Sequence, residues 1–443
     1  MKLQLRLALV LAGCTFLASS VSSASAQSFF WNTGSARSQA LGGIYVTSSD
    51  DAVDALAANP AGLTSLSGRT LDASVSLMLP RGSFSNSVNN SAPMSQTPGA
   101  LPYGAFAMPI RHSRFSLGVG FVPDLASVSN WHYVDAPGTA GATYGLQEQK
   151  SAILAGRAIA GLGVVVNPKL SLGVTLGADY NSNTLDAPYV FQQQPVLQGL
   201  KTLLDLHTTG YGWNGSVGAV IRPTPAVELG LAWKSSTTIL SHGTASGDAY
   251  AQFAALGLGG VPSSFNYAAQ VRNVLPQSLL VNVAWRVNPL WLVAFQTDWV
   301  NWYSAFTTLP VSLSGGTNAE INGLVNSSSL QDGFPLNWKD QYSFHIGGER
   351  LLTESTSLRF GYAHANNPVP NSTLVPLTAA IMSNQISTGL VYHRGRSSFE
   401  GAYSYDPTAQ AQVQQSAILA GEYNNSTVRI GVQSVTLNYS LRF

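Results

Sequence analysis

Hydrophobic and polar residues alternate with a period of two along most of the chain. The sequence reads TLDASVSLML at residues 70–79, RFSLGVGFV at residues 114–122 and AVELGLAWK at residues 226–234. In each stretch the apolar side chains fall on one face of an extended chain. The pattern predicts β-strands with one apolar face, which soluble sandwiches and membrane barrels both contain.

The connections between these strands separate the two classes. About fourteen strands are predicted, near residues 70–80, 101–111, 114–123, 149–166, 170–181, 208–222, 226–238, 276–287, 290–306, 338–351, 356–365, 383–393, 397–405 and 427–443. Tight turns rich in Asn, Pro and Gly alternate with long connections without a break. Outer-membrane barrels have this alternation of short periplasmic turns and long outer loops. Residues 69–443 are therefore predicted to form an all-β, 14-stranded antiparallel transmembrane barrel.

One segment before the strands breaks the pattern. Residues 50–66 read DDAVDALAANPAGLTSL, with apolar residues at helical spacing. Asp50 and Asp51 lie at the start, where carboxylates favour the helix dipole. Pro60 ends the helix, and the side chain of Asn59 can bond the backbone groups left bare there. The sequence predicts a short helix and a stop ahead of the first strand.

The composition narrows the class further. Asp, Glu, Lys and Arg make up only 10% of the chain, against roughly 25% in ordinary soluble domains. Past the N-terminus no run of 18 apolar residues occurs, which argues against membrane-spanning helices. The formal net charge of +1 gives no reason to expect a nucleic-acid partner. A chain poor in charge and rich in glycine fits a closed membrane barrel.

The N-terminus resembles an export signal. Lys2 and Arg6 precede the apolar residues 7–17, and Ala24-Ser25-Ala26 is a small-residue cleavage site. Residues 1–26 are therefore predicted to be a signal peptide. An alternative is lipoprotein processing at LAGC, residues 11–14, with Cys14 acylated. Cys14 is the only cysteine of the chain, so no disulfide is expected.

The inward faces of the strands are predicted to carry charged residues. Those near the tight turns should form a charge ring, paired with one another or with a plug: Glu228, Arg286, Glu349, Arg359 and Glu400. Lys234, His345 and Arg429 lie further up, where we expect them to be freer to bind a ligand. Arg157 is predicted to face inward among apolar neighbours, which suits an amphipathic anion.

Residues for catalysis or metal binding do not come together in the sequence. The histidines are scattered over separate strands and loops, and no nucleophile elbow or HExxH motif occurs. The spacing typical of metal sites is also absent. We therefore expect neither an enzyme nor a cofactor or metal. A lipid-acting barrel enzyme or an adhesin stays open as an alternative of a different class.

Several stretches resemble the FadL-type long-chain fatty-acid and hydrophobic-compound transporters of the outer membrane. The opening GSARSQALGGIYVTSSDDAVDALAANPAGLTSL, residues 34–66, is similar to the N-terminal hatch of that family. Residues 275–306, 337–370 and 386–405 resemble its proline-started strand with an Asn-Pro turn, its NWKD…LRFGY stretch and its penultimate hairpin. The terminal strand VTLNYSLRF ends in an aromatic residue, as in barrels that the barrel-assembly machinery recognises.

The resemblance implies a mechanism. Residues 27–68 would be a hatch that closes the barrel from below, with Asp51, Asp54, Asn59 and Pro60 involved in gating. Ligand would be caught between outer loops 182–207 and 239–275, whose stretches PVLQGLKTLLDL and AYAQFAALGLGG look helical, and leave sideways at a kinked strand. The expected ligand contacts are Leu203, Leu204 and Leu206 in the outer loop and Phe29 and Phe30 in a lumen pocket.

The resemblance leaves the cargo open. A fatty acid or similar amphiphile is the first expectation, and a neutral aromatic hydrocarbon is the alternative if the upper cations prove to be ion-paired. The expected location is the outer membrane of a Gram-negative-type bacterium. Besides its cargo, the expected partners are membrane lipid, lipopolysaccharide and the assembly machinery.

Overall fold

The structure, a computed structural model, describes residues 34–46, 51–96 and 98–443. The predicted signal peptide, its cleavage site, Phe29 and Phe30 lie outside these residues. Among the described residues, no helix has the length and apolar character needed to cross a membrane.

Strands dominate the described chain. They are β1 (Thr70–Ser85), β2 (Ala92–Pro93), β3 (Gly99–Pro109), β4 (Phe115–Val134), β5 (Leu146–Asn167), β6 (Leu170–Val190), β7 (Lys201–Thr224), β8 (Val227–Lys234), β9 (Thr237–Asp248), β10 (Ser264–Leu275), β11 (Ser278–Asn288), β12 (Trp291–Val300), β13 (Thr308–Ser314), β14 (Leu330–Pro335), β15 (Gln341–Thr353), β16 (Thr356–Ala365), β17 (Asn384–Arg394), β18 (Ser397–Val413) and β19 (Ser426–Arg442). The helices are α1 (Ala36–Ala40), α2 (Ala52–Ala57), α3 (Tyr250–Ala255), α4 (Trp302–Ala305) and α5 (Ala319–Val325), with 3-10 turns at Pro60–Ser65, Thr139–Gly141, Asn371–Thr373 and Pro376–Thr378.

The strands close into a barrel. Neighbours pair antiparallel, and β1 pairs with β19 from Thr70 opposite Arg442 to Ser85 opposite Thr427. β2 is a two-residue strand, and four spans are interrupted, so that β8 continues into β9, β10 into β11, β12 into β13 and β14 into β15. The described strands thus form a closed barrel of 14 spans, and this prediction is confirmed.

The two faces of the barrel have opposite chemistry. On β6 the outward side chains of Leu172, Val174 and Leu176 are 41%, 49% and 61% exposed. On β19 the inward residues are small and polar, and Ser434 and Thr436 are buried among them. An apolar exterior and a polar interior are what a barrel surrounded by lipid requires.

The N-terminal segment, residues 34–66 where described, lies in the lower lumen. α1 packs against β16, β17 and β18, while the 3-10 turn at Pro60–Ser65 packs against β5, β6 and β7. Glycine makes these contacts possible. A Cβ at Gly173 would lie 2.3 Å from the carbonyl carbon of Pro60, and one at Gly361 would lie 2.1 Å from that of Leu41. No larger residue could hold the segment this close.

Several strands extend further outward than the alternation predicted. β6 continues to Val190 and β7 begins at Lys201, so most of the predicted loop 182–207 is strand paired with strand. The predicted strand 290–306 is shorter, because β12 ends at Val300 and α4 follows. Trp302, the first residue of α4, is fully buried against Trp338 and Phe306.

Candidate functional site

A cavity of about 160 Å³ occupies the upper part of the barrel. Inward side chains from the outer ends of β7, β10, β13 and β14 line it, together with α3. Nearly all of the lining is apolar, including Leu204, Leu206, Phe253, Phe265, Leu313 and Phe334. The inward face of these strands therefore changes from polar in the lower lumen to apolar at the outer ends.

Strand parity places the three leucines predicted as outer-loop contacts on different faces of β7. Leu204 and Leu206 are buried and line the cavity, whereas Leu203 projects to the other face of β7 and does not line it. The prediction that PVLQGLKTLLDL is helical is wrong, because its second half belongs to β7. The helical interpretation of the second stretch is correct over Tyr250–Ala255.

The charged side chains at the cavity wall are held by partners within the chain. The Nζ of Lys201 lies 2.7 Å from Asp135 Oδ1 and donates to the carbonyl oxygen of Ala136 at 2.6 Å. Lys201 also forms an ion pair with Glu422. Burial raises the pKa of the Glu422 carboxyl to about 7 even though Lys201 opposes the shift. No motif in the sequence marks this triad, since Asp135 and Glu422 lie in long connections.

Asp332 is the remaining charged residue at the cavity wall. It accepts a hydrogen bond from the Tyr189 hydroxyl at 2.6 Å and from the backbone amides of Gln192 and Gln194 at 3.0 and 3.1 Å. These bonds tie the turn after β6 to β14. The Asp332 carboxylate thus holds two parts of the cavity wall together.

A buried polar layer lies between the cavity and the N-terminal segment. Lys234 Nζ lies 2.6 Å from Asp124 Oδ1, and both side chains are buried. The expectation that Lys234 is freer than the lower charges is therefore wrong. Asp179 accepts hydrogen bonds from Asn214 and from Thr237 Oγ1.

Arg157 faces inward as predicted and is 1% exposed. Its Nη2 donates to the carbonyl oxygen of Leu56 at 3.3 Å, while its Nε and Nη1 have no hydrogen-bond partner. The guanidinium therefore links β5 to the end of α2. It retains unused donors in the polar layer beneath the cavity.

The same layer coincides with an irregularity in the barrel wall. The pairing of β3 with β4 ends at Gly104 opposite Phe121, although both strands continue outward. β4 has a bulge between Pro123 and Leu125, which turns Asp124 into the lumen toward Lys234. Further up, an isolated bridge joins Met94 to Trp131. The hydrogen bonding between β3 and β4 therefore has a gap, which extends from the pair Gly104–Phe121 to the bridge Met94–Trp131.

The lower charges form two groups. Arg359 bonds Glu349 at 2.8 Å and Glu400 at 2.6 Å, and Arg37 of α1 reaches Glu349 at 3.2 Å. On the other side, Glu228 lies 3.2 Å from Arg222, which also donates to Ser65 Oγ at 2.8 Å. Both groups thus join strands to the N-terminal segment. Arg286 differs from the prediction, since it is exposed and has no ion pair within the described residues.

His345 is also bound from within the chain. Its Nε2 lies 2.8 Å from Asp298 Oδ2, and its Nδ1 lies 2.5 Å from the carbonyl oxygen of Gly42. The expectation that His345 is freer than the lower charges is therefore wrong. The imidazole connects β15 with the turn that follows α1.

Arg429 faces the other way from the prediction. It is exposed on the outer surface of β19, where its Nε donates to Gln410 Oε1 at 2.8 Å. The alternation explains the error, because Arg429 shares its parity with the outward residues Val435 and Leu437. It cannot contribute to a site in the lumen.

The polar residues of the N-terminal segment bond to the segment itself and to the wall. The Oδ1 of Asp51 accepts from the amide of Asp54 at 2.9 Å as the cap of α2. Asp54 accepts from the amide of Ser35 at 2.8 Å. Burial, and then the neighbouring Asp51, raises the pKa of the Asp54 carboxyl well above its usual range. The two carboxylates thus hold α1 and α2 together.

Asn59 joins the segment to two strands. Its Oδ1 accepts from the amide of Ala61 at 3.1 Å, and its Nδ2 donates to the carbonyl oxygens of Ala219 and Leu231 at 3.1 and 3.3 Å. Pro60 begins the 3-10 turn. Together they end α2 and fix the segment against β7 and β8. Within the described residues, no cluster of three or more His, Cys, Asp or Glu side chains could hold a metal ion.

Comparison with known proteins shows the family to which the chain is similar. The model of the family described as outer membrane protein transport protein (OMPP1/FadL/TodX) matches residues 15–443. None of the curated proteins compared with the chain matches it.

Solved structures share the fold at low sequence identity. The Pseudomonas putida toluene transporter TodX has a TM-score of 0.75 and 17% identity, over 93% of this chain and 99% of that one. The Ralstonia pickettii toluene transporter TbuX has a TM-score of 0.71 and 19% identity, over 94% and 100%. A Pseudomonas aeruginosa FadL homologue has a TM-score of 0.71 and 16% identity, over 95% and 99%.

The family match covers nearly the whole chain, and the closed barrel has an apolar exterior and an apolar upper cavity. The chain therefore belongs to the OMPP1/FadL/TodX family of outer-membrane transport proteins, which transport hydrophobic compounds across the outer membrane.

Proposed function

We propose that the protein passively transports neutral apolar molecules, of about the size of one aromatic ring, through the outer membrane. The observation that carries this proposal is the upper cavity, whose three charged side chains, Lys201, Asp332 and Glu422, all have partners within the chain. A carboxylate cargo would need a cation that is not already bound. A neutral ring needs only apolar contact.

The size of the cavity supports the same cargo. A cavity of about 160 Å³ is close to the roughly 150 Å³ of a dry, apolar cavity that accepts benzene. Transfer of apolar cargo from water into such a wall is favourable by roughly 25 cal/mol per Å² of buried surface. The toluene transporters and the monoaromatic hydrocarbon channel CymD share this fold, which agrees with the proposal.

The gap between β3 and β4 would provide the exit. Its edges carry the apolar side chains of Tyr103, Val122 and Leu125, which are buried beside the lumen. Outward residues on β4 below it, such as Val119 and Phe121, are 55% and 42% exposed, as expected for a lipid-facing surface. Cargo leaving here would enter the bilayer without crossing the periplasm.

The N-terminal segment would act as the hatch below this route. Asn59, Arg37 and His345 connect it to strands on several sides of the lumen. Arg157 bonds the end of α2 and lies in the polar layer next to Asp124 and Lys234. Movement of the segment would therefore alter that layer, which would weaken the hold on cargo and let it leave.

A fatty acid is the second candidate, favoured by one observation. The Nε and Nη1 of Arg157 are buried without hydrogen-bond partners, and an anionic head group that reached the polar layer could accept from them. In that case the chain of the fatty acid would extend upward into the cavity.

Uptake by cells whose outer membrane lacks related transporters separates the two candidates. With the parent protein we expect faster entry of toluene and little change for oleate. The variant R157Q, which keeps donors but loses the charge, should still transport toluene, and any change in its rate would reflect the lost link to α2. Saturable oleate uptake that R157Q removes, with toluene entering no faster than in cells without the protein, would contradict the proposal and identify a fatty-acid transporter.

A further inference from the structure

Two arginines lie side by side on the lipid-facing surface of the barrel. Ser83 of β1 is paired with Arg429 of β19, and Arg81 precedes Ser83 by two residues on the same outward face. Such diagonal neighbours are about 7–8 Å apart at their Cα atoms. Both side chains are exposed, so both guanidinium groups can reach one ligand on the outside of the barrel.

Their height along the barrel coincides with the edge of the apolar band. The outward residues of β1 from Leu71 to Leu79 are apolar, and Arg81 is the next outward position. The ten residues from Leu71 to Arg81 rise about 25 Å along the membrane normal, for about 3.4 Å per residue and a strand tilt near 40°. This rise equals the height of about 25 Å typical of the apolar band of outer-membrane barrels.

Aromatic residues mark the same boundary on the neighbouring strand. Tyr403 and Tyr405 of β18 are each 40% exposed, and the Tyr403 hydroxyl donates to Gln433 of β19 at 3.1 Å. Tyrosines with an apolar ring and a polar tip lie at the level of lipid head groups. Arg429 is four residues above Gln433 on β19, just beyond this level.

The two guanidinium groups have no counter-charge within the described residues. Neither Arg81 nor Arg429 forms an ion pair there, and Arg429 donates only to the amide oxygen of Gln410. The face formed by β5, β6 and β7 is different. There Lys150 lies 3.0 Å from Glu148, and His207 lies 2.9 Å from Asp205. The Lys150 ammonium of that face has a carboxylate partner, whereas the two guanidinium groups of β1 and β19 form no ion pair within the described residues and can bind an anion from outside the chain.

We propose that Arg81 and Arg429 bind a phosphate group of lipopolysaccharide in the outer leaflet. Guanidinium groups bind phosphate through paired hydrogen bonds, and two of them converge here at head-group height. The acyl chains of the same lipid would lie along the apolar surface directly below, over Leu77 and Leu79, which are 42% and 43% exposed. Phosphate above and acyl chains below match the two parts of this surface.

Binding of purified bisphosphorylated lipid A to the full chain in detergent, measured by native mass spectrometry, tests the proposal. The double variant R81Q/R429Q should retain about tenfold less lipid A than the parent, because two charge-assisted contacts are lost. The variant R81K/R429K, which keeps the charge but not the paired donors, should lie between them. The matched control K150Q removes a half-buried cation that is already paired with Glu148, on the face formed by β5, β6 and β7, and should bind like the parent.

Two further arms define the ligand. Removal of the phosphates from lipid A should weaken binding as much as removal of the two arginines. Dephosphorylated lipid A should therefore bind the parent as weakly as bisphosphorylated lipid A binds R81Q/R429Q. Inorganic phosphate should displace bound lipid A only at concentrations far above that of the lipid. The proposal is overturned if R81Q/R429Q, shown by its heat-modifiable gel mobility to be folded, binds lipid A like the parent. Displacement by equimolar inorganic phosphate would also overturn it, since the site would then recognise the free ion.

Discussion

The lower lumen and the upper cavity lie in the same barrel but are built on different principles. Below, directed bonds join the N-terminal segment to the wall, from Arg37 to Glu349, from Gly42 to His345 and from Asn59 to β7 and β8. Above, the strands present leucine and phenylalanine to a cavity of about 160 Å³. Directed bonds specify one arrangement, whereas apolar contact tolerates many.

The difference assigns separate tasks to the two regions. A segment held by hydrogen bonds and ion pairs can occupy only one position, which suits a closure. A wall without directional groups binds by area and shape, which suits cargo that has no polar handle. Closure and capture should therefore be separable by mutation.

Removal of the N-terminal segment should have the largest effect. The 14 spans pair with one another without it, so deletion of residues 27–66 should leave a barrel that inserts into membranes. We expect this variant to conduct ions steadily in a planar bilayer in which the parent does not, because the lower lumen is opened. Equal conductance of deletion variant and parent would show that the segment does not close the barrel.

A single glycine should reproduce part of that effect. In G173V the added side chain would meet the backbone of Pro60, where even a Cβ would lie at 2.3 Å. We expect intermittent conductance and a loss of about 1–3 kcal/mol in the free energy of unfolding, the usual result of overpacking. The control is G401A, since a Cβ at Gly401 would meet only Leu437, at 3.7 Å. A tight, fully stable G173V would contradict the described contact.

Changes in the upper cavity should act on uptake alone. Leu206 is 4% exposed and lines the cavity, so L206N places an amide in an apolar wall. We expect the uptake rate of toluene at low concentration to fall by about tenfold, because the amide must be desolvated when cargo binds. Bilayer conductance should stay at the parent's level.

Leu203 provides the matched control for Leu206. It belongs to the same strand but does not line the cavity, so L203N should transport toluene like the parent. Equal losses in L203N and L206N would indicate a general effect on β7 rather than on the cavity.

The smallest expected effect concerns pH. Burial raises the pKa of Glu422 to about 7, so the folded chain holds a proton that the unfolded chain releases near the ordinary pKa of 4.5. The stabilisation is therefore complete below pH 4.5 and is lost as the pH rises through 7. The protection factor of amides in residues 414–425, which is the exchange rate corrected for its intrinsic rise with pH, should therefore fall between these limits, by up to about tenfold per unit of pKa shift. In E422Q the fall in protection factor should be absent, and a parent whose protection factor rose with pH would contradict the sign.

The sequence allowed the barrel to be predicted because its signal repeats. Alternation along each strand and between short and long connections gives many independent observations of one architecture. The N-terminal helix stop at Asn59 and Pro60 was also recognisable, since capping and proline chemistry are local. The inward position of Arg157 followed from parity alone.

The partners of the charged residues could not be predicted in the same way. Lys234 meets Asp124 only because a bulge in β4 turns one residue inward, and a bulge leaves no clear mark in the alternation. Lys201, at the start of β7, meets Asp135 and Glu422 from two connections that are far from it in sequence. Arg429 is different, because its parity with Val435, which the sequence shows, is enough to place it on the outer face.

The interrupted pairing between β3 and β4 also has a mechanical consequence. A closed cylinder of strands is stiff because each strand is tied on both sides, and an untied stretch concentrates bending at its two ends. Here these ends are the pair Gly104–Phe121 and the bridge Met94–Trp131. Thickening or stretching the surrounding bilayer should therefore change the width of this slit more than any other dimension of the barrel. The tension of the bilayer would then set the width of the slit. The rate at which cargo crosses the membrane would change with that tension.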